Sequence, residues 1–168
     1  MAQTLEGIRV LDLSQGMAGS ISTMLLSDFG ADVIKVEPPG GDPYRSFYSS
    51  LLWNRGKSSV VLDLKNEDGV DQFLKLVASA DVVLESFKPG YLDSLGVGYE
   101  SLKSKYPQLI FCSITGFGQN GPYSQYKDYE GLVEAKSGRL MIFAGLSGRE
   151  GPNFASVNVA SHSAAMAA

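Results

Sequence analysis

The residues best equipped for chemistry in this chain are cations placed in loops. Arg55, Gly56 and Lys57 stand in "WNRGKSSVVLDLK", just before an apolar run. Lys88 follows Phe87 in "ESFKPG", and Lys127 lies between Tyr126 and Tyr129 in "SQYKDYEG". Singly, each is an ordinary solvated charge. Together with the two tyrosines they are the set that a ligand with phosphates and a flat base requires: cations for the phosphates and aromatic faces for the base. A second group, Ser161-His162-Ser163, suggests a nucleophile beside a base. Sequence neighbours do not face each other on a helix, however, so His162 is read as a helix-surface or packed histidine.

Other chemistries fail on residue count or spacing. One cysteine and one histidine give zinc no ligand set, and no metal is expected. The stretch "SQGMAGSIS" after the first apolar run lacks the G-x-G-x-x-G of a dinucleotide fingerprint. Gly56-Lys57-Ser58 imitates the tail of a P-loop but precedes a strand pattern instead of a helix.

The elements that must position these residues are legible from hydropathy. Short runs rich in β-branched residues recur at 8–13, 32–37, 59–64, 81–86 and 109–114. Their near-continuous apolar character predicts strands buried on both faces. Between the first two, "SISTMLLSDFG" puts Ile21, Met24, Leu25 and Phe29 on one helical face, with Gly30 as the stop. Asn66 reads as the N-cap of a helix with Glu67 and Asp68 in its first turn and Val70, Phe73, Leu74 and Val77 as its buried stripe. Strand–helix alternation predicts an α/β, Rossmann-like domain with a mostly parallel sheet. A long Gly/Tyr-rich loop follows Ser113, then a helix over 129–137 and a strand over 140–144.

A length of 168 residues, 44% of them hydrophobic, predicts one domain. A net charge of −4 argues against a nucleic-acid-binding surface. The lone Cys112, inside "LIFCSI", reads as an inert core thiol in a reducing compartment. The start "MAQTLEGIRVLDLS" has no secretory pattern, and no run approaches the roughly 18 apolar residues of a membrane span. A cytoplasmic protein is expected. "SVNVASHSAAMAA" opens like a helix without a stop signal, which predicts a piece of something longer.

The stretches "LEGIRVLDLSQGMAG", "LLSDFGADVIKVEPPGGDP", "NRGKSSVVLDLK", "DVVLESFKPG", "LDSLGVGYESLK" and "LIFCSITGFGQNGPY" together resemble the family III CoA-transferases. That family includes enzymes acting on formate/oxalate and carnitine and α-methylacyl-CoA racemase-like proteins. The resemblance runs from about Leu5 to the end and implies that residues 1–168 form the N-terminal Rossmann-like portion, with a small domain and return segment beyond it. It implies coenzyme A as ligand, acyl-CoA and a small carboxylic acid as reactants, and an interlocked homodimer for the whole protein. CoA-contacting positions then fall on Met17 and Ala18, on Leu62, Asp63, Leu64 and Lys65, on Ser86, Phe87 and Lys88, and on Lys127, Asp128, Tyr129 and Glu130.

The chain departs from the family at telling places. Pro38 and Ser94 stand where relatives can carry arginine, and Lys127 stands where racemase-type members carry histidine, which disfavours racemase chemistry. Family transferases attack acyl-CoA with an aspartate at the start of the helix over about 160–168. Here that place reads Ala160/Ser161, and no aspartate follows Asp128. Two readings follow: a protein that transfers CoA between carboxylic acids, or a catalytically inactive CoA-binding or structural half.

Overall fold

The computed structural model describes residues 3–142, 148 and 151–168. Its frame is a parallel sheet of five strands: β1 (Arg9–Asp12), β2 (Asp32–Glu37), β3 (Ser58–Val61), β4 (Val82–Glu85) and β5 (Ile110–Ser113). The spatial order is β3-β2-β1-β4-β5. The chain therefore builds outward from β1 in one direction and returns to add β4 and β5 on the other side. Between β1 and β4 the order reverses, which opens a crevice at the carboxyl ends of those two strands.

Side-chain alternation along β1 and β2 divides the core. Val10 and Val33 face α1 (Met17–Asp28), where they pack with Ala31 and Leu26. Leu11, Val36 and Val83 face the opposite side and pack with Phe73 and Val77 of α3 (Glu67–Val77). Leu92 of α4 (Tyr91–Ser94) and Leu102 of α5 (Tyr99–Lys103) close that layer. Phe73 is fully enclosed, and its truncation to alanine costs about 3–5 kcal/mol. Asn66 caps α3 as its residue type demands, accepting from Gly69 N at 2.8 Å.

The outer strands correct the expectation of burial on both faces. β3 and β5 are sheet edges, and Val61 and Ile110 are 57% and 62% exposed. The α1 face read as core-directed is also redirected. Ile21 and Met24 pack outward against Ala165 of α8 (Val159–Ala167) and Trp53 of α2 (Ser49–Trp53), while Phe29 is exposed. The sheet-facing side of the first two turns of α1 is instead small and polar, at Gly19, Ser20 and Thr23. Gly30, at φ +104°, stops this helix as expected.

The expected helix over 129–137 is α6 (Glu130–Lys136). The strand expected at 140–144 is not formed over its first part, because Arg139–Ile142 is a helical turn, α7; residues 143 and 144 lie outside the described residues. So short an apolar run carries no period that separates strand from helix. Cys112 is half-buried in β5, and burial pushes its thiol up, away from the reactive thiolate. No helix among the described residues is long and apolar enough to cross a membrane.

Candidate functional site

At the carboxyl end of the sheet, the turn after β1 and the turn after β4 are tied together. Gln15 N donates to Ser86 Oγ at 2.9 Å, and Ser86 Oγ donates to Gln15 O at 3.2 Å. On one side of this tie lies a cavity of about 760 Å³. Met17, Ala18 and Ser86 line it, as do Asp128, Tyr129 and Glu130 from the loop and first turn leading into α6. Adjoining it at Gln15 is a narrow cleft of about 60 Å³. Leu62, Asp63, Leu64 and Lys65 line that cleft opposite Phe87. Gln15 lines both spaces. Most of the residues assigned to CoA from the resemblance thus fall into two adjoining spaces. Lys88 and Lys127 line neither; each is exposed and sits one residue from a lining residue.

The cations before β3 do something different from the ligand role expected of them. The Lys57 side chain is enclosed, with Nζ 2.9 Å from Asp12 Oδ2 and also donating to Ser20 O at 2.9 Å. Lys35, opposite Asp12 in the β1–β2 register, is buried beside it. Its Nζ donates to Ser14 O at 2.8 Å and lies 3.2 Å from Asp42 Oδ2. Two ammoniums and two carboxylates are therefore sealed under α1, whose Thr23 donates to Asp12 Oδ2 at 2.7 Å. This explains the polar inner face of α1. Burial pushes the Asp12 carboxyl up, but the Lys35 and Lys57 ammoniums and the Ser14 and Thr23 hydroxyls outweigh it, and the net shift is downward. Arg55 is also consumed within the chain, pairing with Asp28. Neither Arg55 nor Lys57 is left free for a phosphate.

The tyrosines divide as well. Tyr126 packs edge-on against Tyr123 at 5.1 Å and Phe117 at 6.1 Å, with the Lys136 ammonium over both tyrosine rings. Tyr129 lines the large cavity, with Lys127 Nζ 5.6 Å from its ring centre. Of the two departures from arginine, Pro38 lines the narrow cleft, whereas exposed Ser94 donates to Tyr91 O at 2.6 Å.

Close approach forms the turn at the crevice. Gly16 has φ +78° and lies against Tyr44, where a Cβ would meet the ring at 3.2 Å. A Cβ on Gly19 would meet Ser14 Cβ at 2.2 Å and Leu84 Cδ2 at 2.9 Å, so α1 can approach the sheet here only without a side chain.

The Ser161/His162 pair does not assemble. His162 is exposed, and its Nδ1 donates to Asn158 O at 2.6 Å. Ser161 turns the other way, to Glu130. The Glu130 carboxylate accepts from Ala160 N at 2.6 Å, Ser161 N at 3.0 Å and Ser161 Oγ at 2.6 Å. It supplies the N-terminal cap of α8 that the Asn158 side chain does not provide. Sequence reasoning did not foresee this link or the buried charge cluster. A signal for the cluster was present: Asp12 stands between Leu11 and Leu13, and Lys35 between Ile34 and Val36, positions in apolar runs that charge occupies only when paired.

The sheet order and the cavity at its point of reversal define a doubly wound α/β protein with a crevice between β1 and β4. The family model of CoA-transferase family III matches residues 5–168, and the chain belongs to that family. It is 45% identical over 146 residues to the acetyl-CoA:oxalate CoA-transferase of Acetobacter aceti, covering 81% of this chain and 37% of that protein. It is 44% identical over 154 residues to the succinate–glutarate CoA-transferase of Agrobacterium fabrum, covering 82% and 38%. The crystal structure of a CAIB/BAIF family protein from Brucella suis superposes with a TM-score of 0.90 at 38% identity, covering 99% of this chain and 48% of that one. The chain thus spans less than half the length of these relatives.

Proposed function

We propose that residues 1–168 form a single CoA-binding unit, and that the protein it belongs to transfers CoA between carboxylic acids. The observation that carries this reading is the pair of adjoining spaces around the Gln15–Ser86 tie, one narrow and apolar-walled, the other wide and polar at its far end. A molecule with a flat base, phosphates and a long thiol arm suits that shape. Phe87 offers a face to the base or arm. Lys65, exposed at the narrow cleft, has no ion-pair partner among the described residues and is available to a phosphate. Lys88 and Lys127 are placed to add charge from beside the two spaces. The thioester end then lies toward Tyr129, Glu130 and Ser161.

The names of the relatives supply the reactant class: acetyl-CoA or succinyl-CoA as donor, and a dicarboxylate such as oxalate, succinate or glutarate as acceptor. For the whole protein the reading extends to a cytoplasmic homodimer. Tyr48, Leu51 and Met141 leave apolar surface of the kind assembly covers.

One observation favours a second reading, an inactive CoA-binding half: Ser161 has no carboxylate to form an anhydride. The two readings separate in one assay. The protein is mixed with acetyl-CoA or succinyl-CoA and each dicarboxylate, and thioesters are resolved by chromatography. A new CoA thioester supports transfer; CoA binding without any new thioester supports the second reading.

A further inference from the structure

The contact between Glu130 and Ser161 bears on which group attacks the thioester. Covalent transfer of CoA between acids, the route implied by the family resemblance, runs through a protein carboxylate that becomes an anhydride and then a thioester. Ser161 cannot supply one. Glu130 can, and its carboxylate lies within 2.6 Å of Ser161 Oγ while lining the 760 Å³ cavity.

The hydrogen bonds fix its chemistry atom by atom. A carboxylate has about four lone-pair directions. Oε2 spends two, on Ser161 N and Ser161 Oγ, and Oε1 spends one, on Ala160 N. Oε1 therefore keeps a free lone pair. Two α8 amides hold the group at the positive end of the helix. A carboxylate at position 161 would stand against the one on Glu130 and repel it, whereas a serine hydroxyl donates to it. The residue types at the two positions are mutually consistent.

Resting on the CoA-transferase reading above, we propose that Glu130 is the nucleophile of this chain and Ser161 its oxyanion donor. Oε1 attacks the thioester carbonyl; the C–S bond breaks, CoA leaves as the thiolate with the electron pair, and a mixed anhydride forms on Glu130. The thiolate then attacks Glu130 Cδ. The charge that develops on Oε2 meets the Ser161 N–H and Oγ–H already directed at it. The Cδ–Oε1 bond breaks, the acyl group departs as its carboxylate carrying that oxygen, and a glutamyl-CoA thioester remains. The acceptor carboxylate runs both steps in reverse and restores Glu130. No proton is gained or lost, and no co-reactant is needed.

The test is to incubate the 168-residue chain with succinyl-CoA, quench with hydroxylamine and map the adduct after trypsin digestion. Glu130 falls in the peptide of residues 128–136, separate from Ser161, and fragmentation distinguishes it from Glu134. The expected result is a hydroxamate on Glu130, absent from Glu130→Gln. In Ser161→Ala the label stays on Glu130 but forms at least about tenfold more slowly, the loss expected for an oxyanion donor. A label on Ser161 or Glu134, or none in a sample that binds CoA, overturns the proposal. Failure of the same sample to bind CoA overturns the proposed function with it. Because the adduct is mapped on the unaltered chain, the outcome does not depend on how Glu130→Gln folds.

Discussion

Lys57 Nζ lies 2.9 Å from Asp12 Oδ2, with both side chains closed to solvent. Forty-five residues apart in sequence, they join the loop before β3 to the end of β1, directly beneath the turn that opens the crevice. Their neighbour Lys35 reaches the carbonyl of Ser14 in that turn. The charges that looked ligand-directed in the sequence thus tie together the segments that border the crevice.

Removing one charge of this cluster leaves its partner buried and unpaired. Lys57→Met is expected to destabilise the fold by about 3–5 kcal/mol, the usual cost of breaking a buried pair. The effect is measured by urea unfolding. A loss below about 1 kcal/mol would show that water enters the cluster and screens it.

Gly19→Ala sets two effects against each other. Helix propensity favours alanine by about 1 kcal/mol. The new Cβ would lie 2.2 Å from Ser14 Cβ, inside any permitted contact. Overpacking of this kind costs about 1–3 kcal/mol, so the variant is expected to be less stable and to bind CoA more weakly as α1 moves off the turn. A rise in Tm with unchanged CoA affinity contradicts the close approach.

Glu85 gives a pH signature of opposite sign to that of Asp12. Burial pushes the Glu85 carboxyl above its ordinary value, against opposing hydrogen bonds from Ser113 and Phe87 N. The folded state therefore holds the proton more tightly than the unfolded state, and stability from this group falls as pH rises from about 4.5 to the raised folded value. Asp12, shifted downward, contributes stability above about 3.8 that is lost as pH falls below it. Glu85→Gln is expected to raise Tm at pH 7, with the gain shrinking toward pH 4.5. A constant difference across that range refutes the assignment.

Lys65→Ala tests the phosphate end. Its ammonium is exposed and lacks an ion-pair partner among the described residues, so stability is expected to change by less than about 0.5 kcal/mol. CoA affinity is expected to fall about fivefold at low salt, with the difference fading as ionic strength rises. Equal affinity at low salt would place the phosphates elsewhere.

Legibility from sequence followed the physics of each element. The five strands were readable because apolar β-branched runs are short, bounded and repeated. Which of them lie at edges was not, since Val60 and Val61 look the same whether a neighbour covers them or not. The helix at α3 declared itself through Asn66, Glu67 and Asp68, which act locally. The fate of Lys57 was hidden because its partner is forty-five residues away, and a cation before a strand looks the same whether it is solvated or buried. For the same reason the Glu130–Ser161 contact left no trace: two polar residues in separate segments carry no period. Met17, Leu62, Ser86 and Glu130 were placed through family resemblance, not through any pattern of their own, and the fold then brought them to two adjoining spaces.

Coenzyme A is the ligand proposed for this crevice. Calorimetric titration of CoA into the folded chain, with NAD and ATP as parallel ligands, tests this most directly. The expected result is one-site CoA binding that is selective over both other nucleotides and weakened in Lys65→Ala. Absence of CoA binding at millimolar concentration, or equal binding of NAD and ATP, would contradict it.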